Sequence, residues 1–505
     1  MNGEKGQALP LAMLALTIGA LIIAPFLGHA GASVIGSRTY AEAIALRNSC
    51  DAGVEHAIWS LTRGTLAAQL PNPGDHITYQ LGETLNGVNT TVTVTTNASG
   101  GGGAVGDITN TVISTLEYDT VDGWEPDIIQ ISSSVYAIAY RGVQSDGWLK
   151  TVSIAADGTI SPTVISTLEF DTADCYTPDI IHISGNVYAI AYRGVQSDGW
   201  LKTVTIATNG TISPTVISTL EFDTADGWEP NIIPISGNVY AIAYRGVQSD
   251  GWLKTVTIAT NGTISPTIIS TLEFDTADGW EPNIIPVSGN VYAIAYRGVL
   301  SDGWLKTVTI ATNGTISPAI ISTLEFDTSD GATPTIIPIS GNVYAIVYTG
   351  TTNNGFLKTI TIATNGTISP TIIATLAFGS SLYAPYIINV GSNIYVVVGR
   401  GNNNNGVLRT IEIAAGGGIT NPNISSFIFD NGYGYEPVMA HVSEDIFAIA
   451  YRGVNSDGFV ITVGIKTSAA GVASYRIVST AGGTTISALV NTDNTTASIV
   501  SWQIQ

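Results

Sequence analysis

The chain has 505 residues, with 18 Lys and Arg against 39 Asp and Glu, giving a net charge of −21. No basic patch offers itself to a nucleic acid, which removes that class of partner. Two cysteines, Cys50 and Cys175, are too few for a disulfide framework; they read as free thiols, with a single pair between them as the alternative.

The start is short and polar, Met1–Gly6, and is followed by an uncharged run, Ala8–Gly28, that contains Pro10 and Pro25. A run of about 20 apolar residues is long enough to cross a bilayer. A secretory signal would have a basic start and a small-residue cut site, whereas this one sets Lys5 against Glu4. Apolar spacing at Leu46, Val54, Ile58 and Leu61 predicts that helix continues to about Thr62. His76–Asn97 then reads as two alternating strands, and Ala473–Gln505 as three more near the other end. These five predict one antiparallel sheet packed on the helix. Glycine- and alanine-rich Ser99–Gly106 and Thr467–Ser474 read as the linkers to what lies between.

The leader ending in Gly6 before Gln7, the apolar helix that begins at once, its internal proline and the stretch Cys50–Trp59 (CDAGVEHAIW) together resemble type IV pilin-like proteins. Leu11 stands where major pilins carry a glutamate, which is similar to the minor pilins of filament tips. The resemblance implies cleavage between Gly6 and Gln7. It also implies a helix held in the membrane before assembly, packed later against other pilin subunits, and a membrane-anchored, cell-surface filament. An uncleaved signal anchor with a stalk is the alternative. The expected organisation is a leader over 1–6, a helix over 7–66, the first part of a pilin-like β-domain over 67–103, a propeller over 104–467 and the second part of the β-domain over 468–505.

The middle of the chain is a repeat. Thr215–Pro266 returns as Thr267–Pro318 with only Val216, Ile235 and Gln248 exchanged, for Ile268, Val287 and Leu300. Looser copies flank the two, and a fixed period of this size means a solenoid, an array or a propeller. Each copy reads as four short strands divided by Gly-, Asn-, Asp- and Pro-rich turns, the make-up of a propeller blade. Prolines at 126, 178, 230, 282, 334, 385 and 437 count seven blades. The array opens on a spare strand, Thr111–Asp119, and its last copy stops one strand short near Lys466. Pairing the two closes the ring. The fold expected is mainly β: a seven-bladed propeller inserted into a small α+β domain with a long N-terminal transmembrane helix.

The chemistry gathers in two loops of each copy, which a four-stranded meander brings to one face. Trp124, Glu125 and Arg141 occur in the first copy, Trp228, Glu229 and Arg245 in the third, and Trp280, Glu281 and Arg297 in the fourth. The fifth has lost all three, and the sixth is read as keeping only Arg400. An indole face beside a carboxylate and a guanidinium suits a sugar, covering its C–H face and binding its hydroxyls. The plainer reading is a cross-strand Glu–Arg pair with Trp packed between blades. Asp119, Asp122 and Glu125 lack the spacing of a calcium loop, and Asn209, Asn261, Asn313 and Asn365 are turn residues before they are glycan acceptors. No metal or cofactor is expected. The expected function is adhesion, or recognition of a surface glycan, by a minor pilin without enzymatic activity. A ligand-free spacer and a hydrolase of sialidase type are the alternatives.

Overall fold

The strand Val239–Arg245 (VYAIAYR) explains the architecture. Tyr240, Ile242 and Tyr244 point to one side of it, and Ala241 and Ala243 to the other, so both faces are apolar and both must be covered. In the computed structural model, Tyr240, Ile242 and Tyr244 pack against Ala189, Ala191 and Leu201 of the preceding copy, while Ala241 and Ala243 receive Tyr292, Ile294 and Tyr296 of the next. The same fit of large side chains into a small-residue face recurs at the other seams except around the sixth blade, where Val396 and Val398 meet Phe447, Ile449 and Tyr451. Tyr244 and Ile242 are fully buried, a type of burial that stabilises by about 1.5–3 kcal/mol per side chain. The structure describes residues 43–63, 66–70, 74–82, 84, 87–97, 105–391, 393–467, 473–492 and 497–504.

These steps build seven antiparallel four-stranded sheets. The third blade, for example, is Trp228–Ser236, Val239–Arg245, Gly251–Thr257 and Ser270–Asp275. The first strand of each sheet touches the first strands of its two neighbours, and Tyr435–Ser443 returns to Trp124–Ser132. Closure is made by Ile108–Asp119, whose Leu116 and Glu117 pair with Val460 and Phe459 of the last blade. The innermost strands leave backbone N–H groups unpaired at the sheet edge, and side chains of the preceding blade satisfy them. Asp127, Asp179, Asn231 and Asn283 accept from the N–H of Ile180, Ile232, Ile284 and Ile336 at 2.7–3.0 Å. An edge covered in this way is no longer a template for another chain.

Neighbouring blades are also tied by a buried polar lock. Asp223, at the end of the second blade's outer strand, accepts from Tyr244 Oη at 2.5 Å and Lys254 Nζ at 2.7 Å in the third, and Lys254 also donates to Phe222 O. Asp119, Asp171, Asp275 and Asp327 repeat the arrangement with Lys150, Lys202, Lys306 and Lys358. Burial works to raise the Asp223 carboxyl, but the hydrogen bonds from Lys254, Tyr244 and the Ala225 N–H hold it below the usual range.

By contact, the chain separates into residues Gly102–Ala469, which hold the blades, and a second unit made of both ends, Met1–Gly101 with Ala470–Gln505. The second unit has a five-stranded antiparallel sheet in which Thr90–Thr96 pairs with Ala473–Ala481. A helix over residues 43–62 packs on it through Cys50, Val54, Ala57 and Leu61. Helix and sheet come so close at Gly53 that an added Cβ would sit 2.2 Å from Ser479 Oγ. Both cysteines are buried and free.

The long transmembrane helix expected from the sequence is not found among the described residues. Among the described residues no helix is long and apolar enough to cross a membrane. The helix over 43–62 carries Arg47, Asp51, Glu55 and His56 around its apolar stripe, a pattern that suits one side against a sheet and the other against water. The anchoring role and the membrane-anchored, cell-surface filament placement are therefore corrected. Ala8–Gly28 and the Gly6–Gln7 junction lie outside the described residues.

Candidate ligand-binding site

Each blade offers the same two elements to one face of the ring. The loop into the innermost strand hydrogen-bonds to the turn after the second strand of the blade before it, as Gly227 N–H does to Ser197 O at 2.7 Å and Gly331 N–H to Ser301 O at 2.8 Å. The innermost strand then starts with a bulge. Trp228 pairs with Arg245, and the register resumes only at Asn231. The bulge places its second residue at positive φ in all seven blades, at Glu125, Thr177, Glu229, Glu281, Thr333, Ala384 and Glu436, a conformation that is uncommon outside glycine. From there the glutamates reach to the next blade. Glu436 Oε2 accepts from Glu125 N–H, Glu125 Oε2 from Thr177 N–H, Glu229 Oε2 from Glu281 N–H and Glu281 Oε2 from Thr333 N–H.

The rim's arginines and aromatic rings alternate. The Arg141 guanidinium lies 4.6 Å from the Trp124 ring in its own blade and 4.5 Å from Tyr176 in the next. Arg193 lies between Tyr176 and Trp228 at 3.6 and 3.7 Å, and Arg245 between Trp228 and Trp280 at 4.4 and 3.7 Å. On the far side of the circle Arg400 lies between Tyr383 and Tyr435, and Arg452 between Tyr435 and Trp124. Such contacts contribute about 0.5–1 kcal/mol each, more when desolvated.

The alternation stops at the fifth blade. Ala332 occupies the aromatic position and Thr349 the arginine position. Among the described residues no ring lies over Arg297. Its Nη2 donates to Ser301 Oγ at 2.7 Å and its Nε approaches Asp330 Oδ1 at 3.9 Å. Its side chain is 31% exposed, against 8% for Arg245, so this arginine has left the stack. A cavity of about 330 Å³ occupies the gap, lined among others by Glu281, Arg297, Asp330, Thr349, Tyr383 and Glu436. Burial first, and then the Glu229 carboxylate, push the Glu281 carboxyl up to about 7, against Thr333 N–H, Arg297 and Arg245.

Of the residues singled out in the sequence, Glu125 and Glu229 lie 3.4 and 3.6 Å from Arg141 and Arg245. The rings of Trp124 and Trp228 carry a guanidinium on each side, so a sugar would have to displace one. Trp280 is covered by Arg245 alone. Glu281 and Arg297 are brought to the cavity, and Trp280 is absent from its lining. Sequence reasoning missed Asp330, Ala332, Thr349 and Tyr383. The joint loss of Trp, Glu and Arg in the fifth copy was the available signal. Tyr383 was hidden because one residue is missing between Phe378 and Pro385 relative to the other copies, so the sixth blade keeps its aromatic as well as Arg400. Asp119 and Asp122 are taken by Lys150 and by the Trp124 indole N–H.

No family model matches the chain, and no curated protein matches its sequence. Among solved structures it is similar to the periplasmic gluconolactonase of Pseudomonas aeruginosa, at 14% identity and a TM-score of 0.45, over 59% of this chain and 83% of that one. It is similar to the WD40 domain of SCAP from fission yeast at 9% and 0.39, over 69% and 96%. The α-L-arabinofuranosidase of Lactobacillus brevis follows at 10% and 0.31, over 50% and 95%. Likeness at this level carries no activity over to this chain.

Proposed function

We propose that the protein is a recognition module whose propeller binds one ligand, in the cavity where the rim is broken. The observation that carries this is the interruption of the arginine–aromatic alternation at Ala332 and Thr349, where a cavity of about 330 Å³ lies. That volume is at the lower end of the range for small-ligand pockets. The cavity has the expected mixture of an aromatic face, Tyr383, and a few converging polar groups. Binding is preferred to catalysis because the carboxylates at the mouth are already engaged, Glu281 with Thr333 N–H and Glu436 with Glu125 N–H and Arg452.

A sugar is the second reading, favoured by the same tyrosine face between charged hydrogen-bonding groups; adhesion to a glycan-bearing surface would follow from it. The test is a glycan array and a small-molecule thermal-shift screen on the full chain, run beside Ala332→Trp/Thr349→Arg, which restores the missing pair. Ligands of the parent should be lost from that variant. Ligands that bind both equally would overturn the assignment of the site.

A further inference from the structure

The unbroken part of the rim specifies what the broken part lacks. In five of the seven blades the arginine of one blade lies over the ring that opens the next, as Arg193 does over Trp228. Thr349 holds that place before Tyr383, so Tyr383 is left with Arg400 alone. The loss of the fifth tryptophan leaves a second unmatched group. Asp122, Asp226 and Asp278 each accept the indole N–H two residues on, at 3.1–3.2 Å. Asp330 stands in the same place, but with Ala332 there is no indole, and its buried Oδ1 has no hydrogen-bond partner, only the Arg297 guanidinium at 3.9 Å. The cavity therefore joins an open aromatic face and the carboxylates of Glu281 and Glu436, beside the ion pair of Asp330 with Arg297.

We infer that this cavity takes a guanidinium group, seated on the open face of Tyr383 in the space Thr349 leaves, with its N–H donors turned to the acidic groups of the mouth. The inference rests on the cavity being the binding site. A planar, always-charged cation with a fork of donors meets these requirements together, whereas a compact and strongly hydrated ammonium matches the ring and the carboxylates less well. The two flanking arginines do not forbid it. Tyr383 would separate the guest from Arg400, as Trp228 separates Arg193 from Arg245. Arg297 is turned toward Ser301 and Asp330. The net charge of −21 favours the approach of a cation over long range.

The guanidinium could belong to a free small molecule or to an arginine side chain in a polypeptide, and titration calorimetry on the full chain separates these. The probes are free arginine, arginine capped as the acetyl methylamide, the capped lysine and citrulline counterparts, and a panel of monosaccharides. Saturable binding of an arginine probe is expected, at least about tenfold tighter than lysine or the neutral citrulline isostere. Tighter binding of the capped form assigns the group to a polypeptide, and equal or tighter binding of free arginine assigns it to a small molecule. Thr349→Arg, which supplies the group from the chain itself, should abolish binding, and Tyr383→Leu should weaken it by at least about tenfold. Should Thr349→Arg fail to fold by circular dichroism, Tyr383→Leu decides. Equal binding of citrulline, or no saturation by any arginine probe, overturns the inference. A sugar that binds the parent and is lost from Thr349→Arg overturns the guanidinium and retains the cavity. A ligand that survives both substitutions overturns the cavity too.

Discussion

The seam between the second and third blades and the seam between the fifth and sixth join the same two surfaces by different means. The first has the full lock of Asp223, Tyr244 and Lys254, with Arg193 and Arg245 on either side of Trp228 at the rim. In the second, Gly379 and Gly399 replace the aspartate and tyrosine. Arg409 donates to Phe378 O at 3.0 Å and to Ser380 Oγ at 2.6 Å, and at the rim Tyr383 has a guanidinium on one side only, that of Arg400. Following the sixth blade, Asp430 keeps its tyrosine, Tyr451, at 3.1 Å but faces Ile461 where a lysine would be. The repeated residues therefore serve the joints between blades. The departures from them fall together around the sixth blade and beside the cavity at the rim. In a ring of near-identical units, repetition marks structure and its local loss marks the candidate site.

The largest effect should come from breaking the intact lock. Asp223→Ala leaves Lys254 and Tyr244 without their shared acceptor in a setting where the lysine is only 14% exposed. Removal of one partner of such a pair costs about 3–5 kcal/mol. Ser380→Ala at the degenerate seam removes one hydrogen bond and should cost about 0.5–1.5 kcal/mol. Urea denaturation of the full chain compares the two. Equal losses would mean that the locks are not what distinguishes the seams.

Much of this difference was legible in the sequence. The period, the turn residues and the spare strand led to seven blades closed by Thr111–Asp119, because local pairing and alternation are written residue by residue. The membrane helix was the opposite case. Ala8–Gly28 reads as a span from its apolar length, its helical continuation and the leader before it, whereas the described helix over 43–62 packs one stripe on a sheet and carries charges around it. At the rim the residue types were visible but not their partners. Arg245 meets Trp280 across a seam, a contact that depends on the ring being closed and not on spacing within one copy. Asp330 lost its indole through a change two residues away, which only the superposition of blades reveals.

Closing the rim tests the comparison from the other side. Ala332→Trp with Thr349→Arg should place a ring over Arg297, a guanidinium over Tyr383, and an indole N–H on Asp330 Oδ1. Two or more added cation–π contacts and one hydrogen bond to a charged group suggest a gain of about 1–3 kcal/mol, read as a higher unfolding temperature. A loss of stability with retained fold would show that the gap is held open by more than two side chains.

Glu281→Gln separates electrostatics from packing at the edge of the gap. The carboxyl is pushed up to about 7 in the folded chain, above an unfolded value of about 4.3. Between those values the folded state binds more protons, so the parent loses stability as pH rises from about 4.3 to about 7. Gln keeps an acceptor for Thr333 N–H and does not titrate. Parent and variant should agree near pH 4, and the variant should be more stable by about 1–2 kcal/mol at pH 8 once residual solvent screening is allowed for. A constant difference across that window would remove Glu281 from the account.

The smallest effect should come from Leu300, in the turn just before Ser301, the partner of Arg297. Leu300 has φ near +60° and is 82% exposed. The left-handed conformation costs an ordinary side chain about 1–2 kcal/mol, and asparagine tolerates it better through local hydrogen bonding. Asn403 and Asn455 hold the same place in the sixth and seventh turns at nearly the same φ. Leu300 gains little burial in return, so its replacement removes strain without opening a cavity. Leu300→Asn should therefore stabilise by somewhat under 1 kcal/mol, a rise of a few degrees at most in unfolding temperature. The same substitution should leave arginine binding unchanged, since Leu300 does not line the cavity. If binding falls while stability rises, the leucine is part of the recognition surface, and the exchange of Gln248 for Leu300 between two otherwise near-identical blades belongs with the departures around the gap.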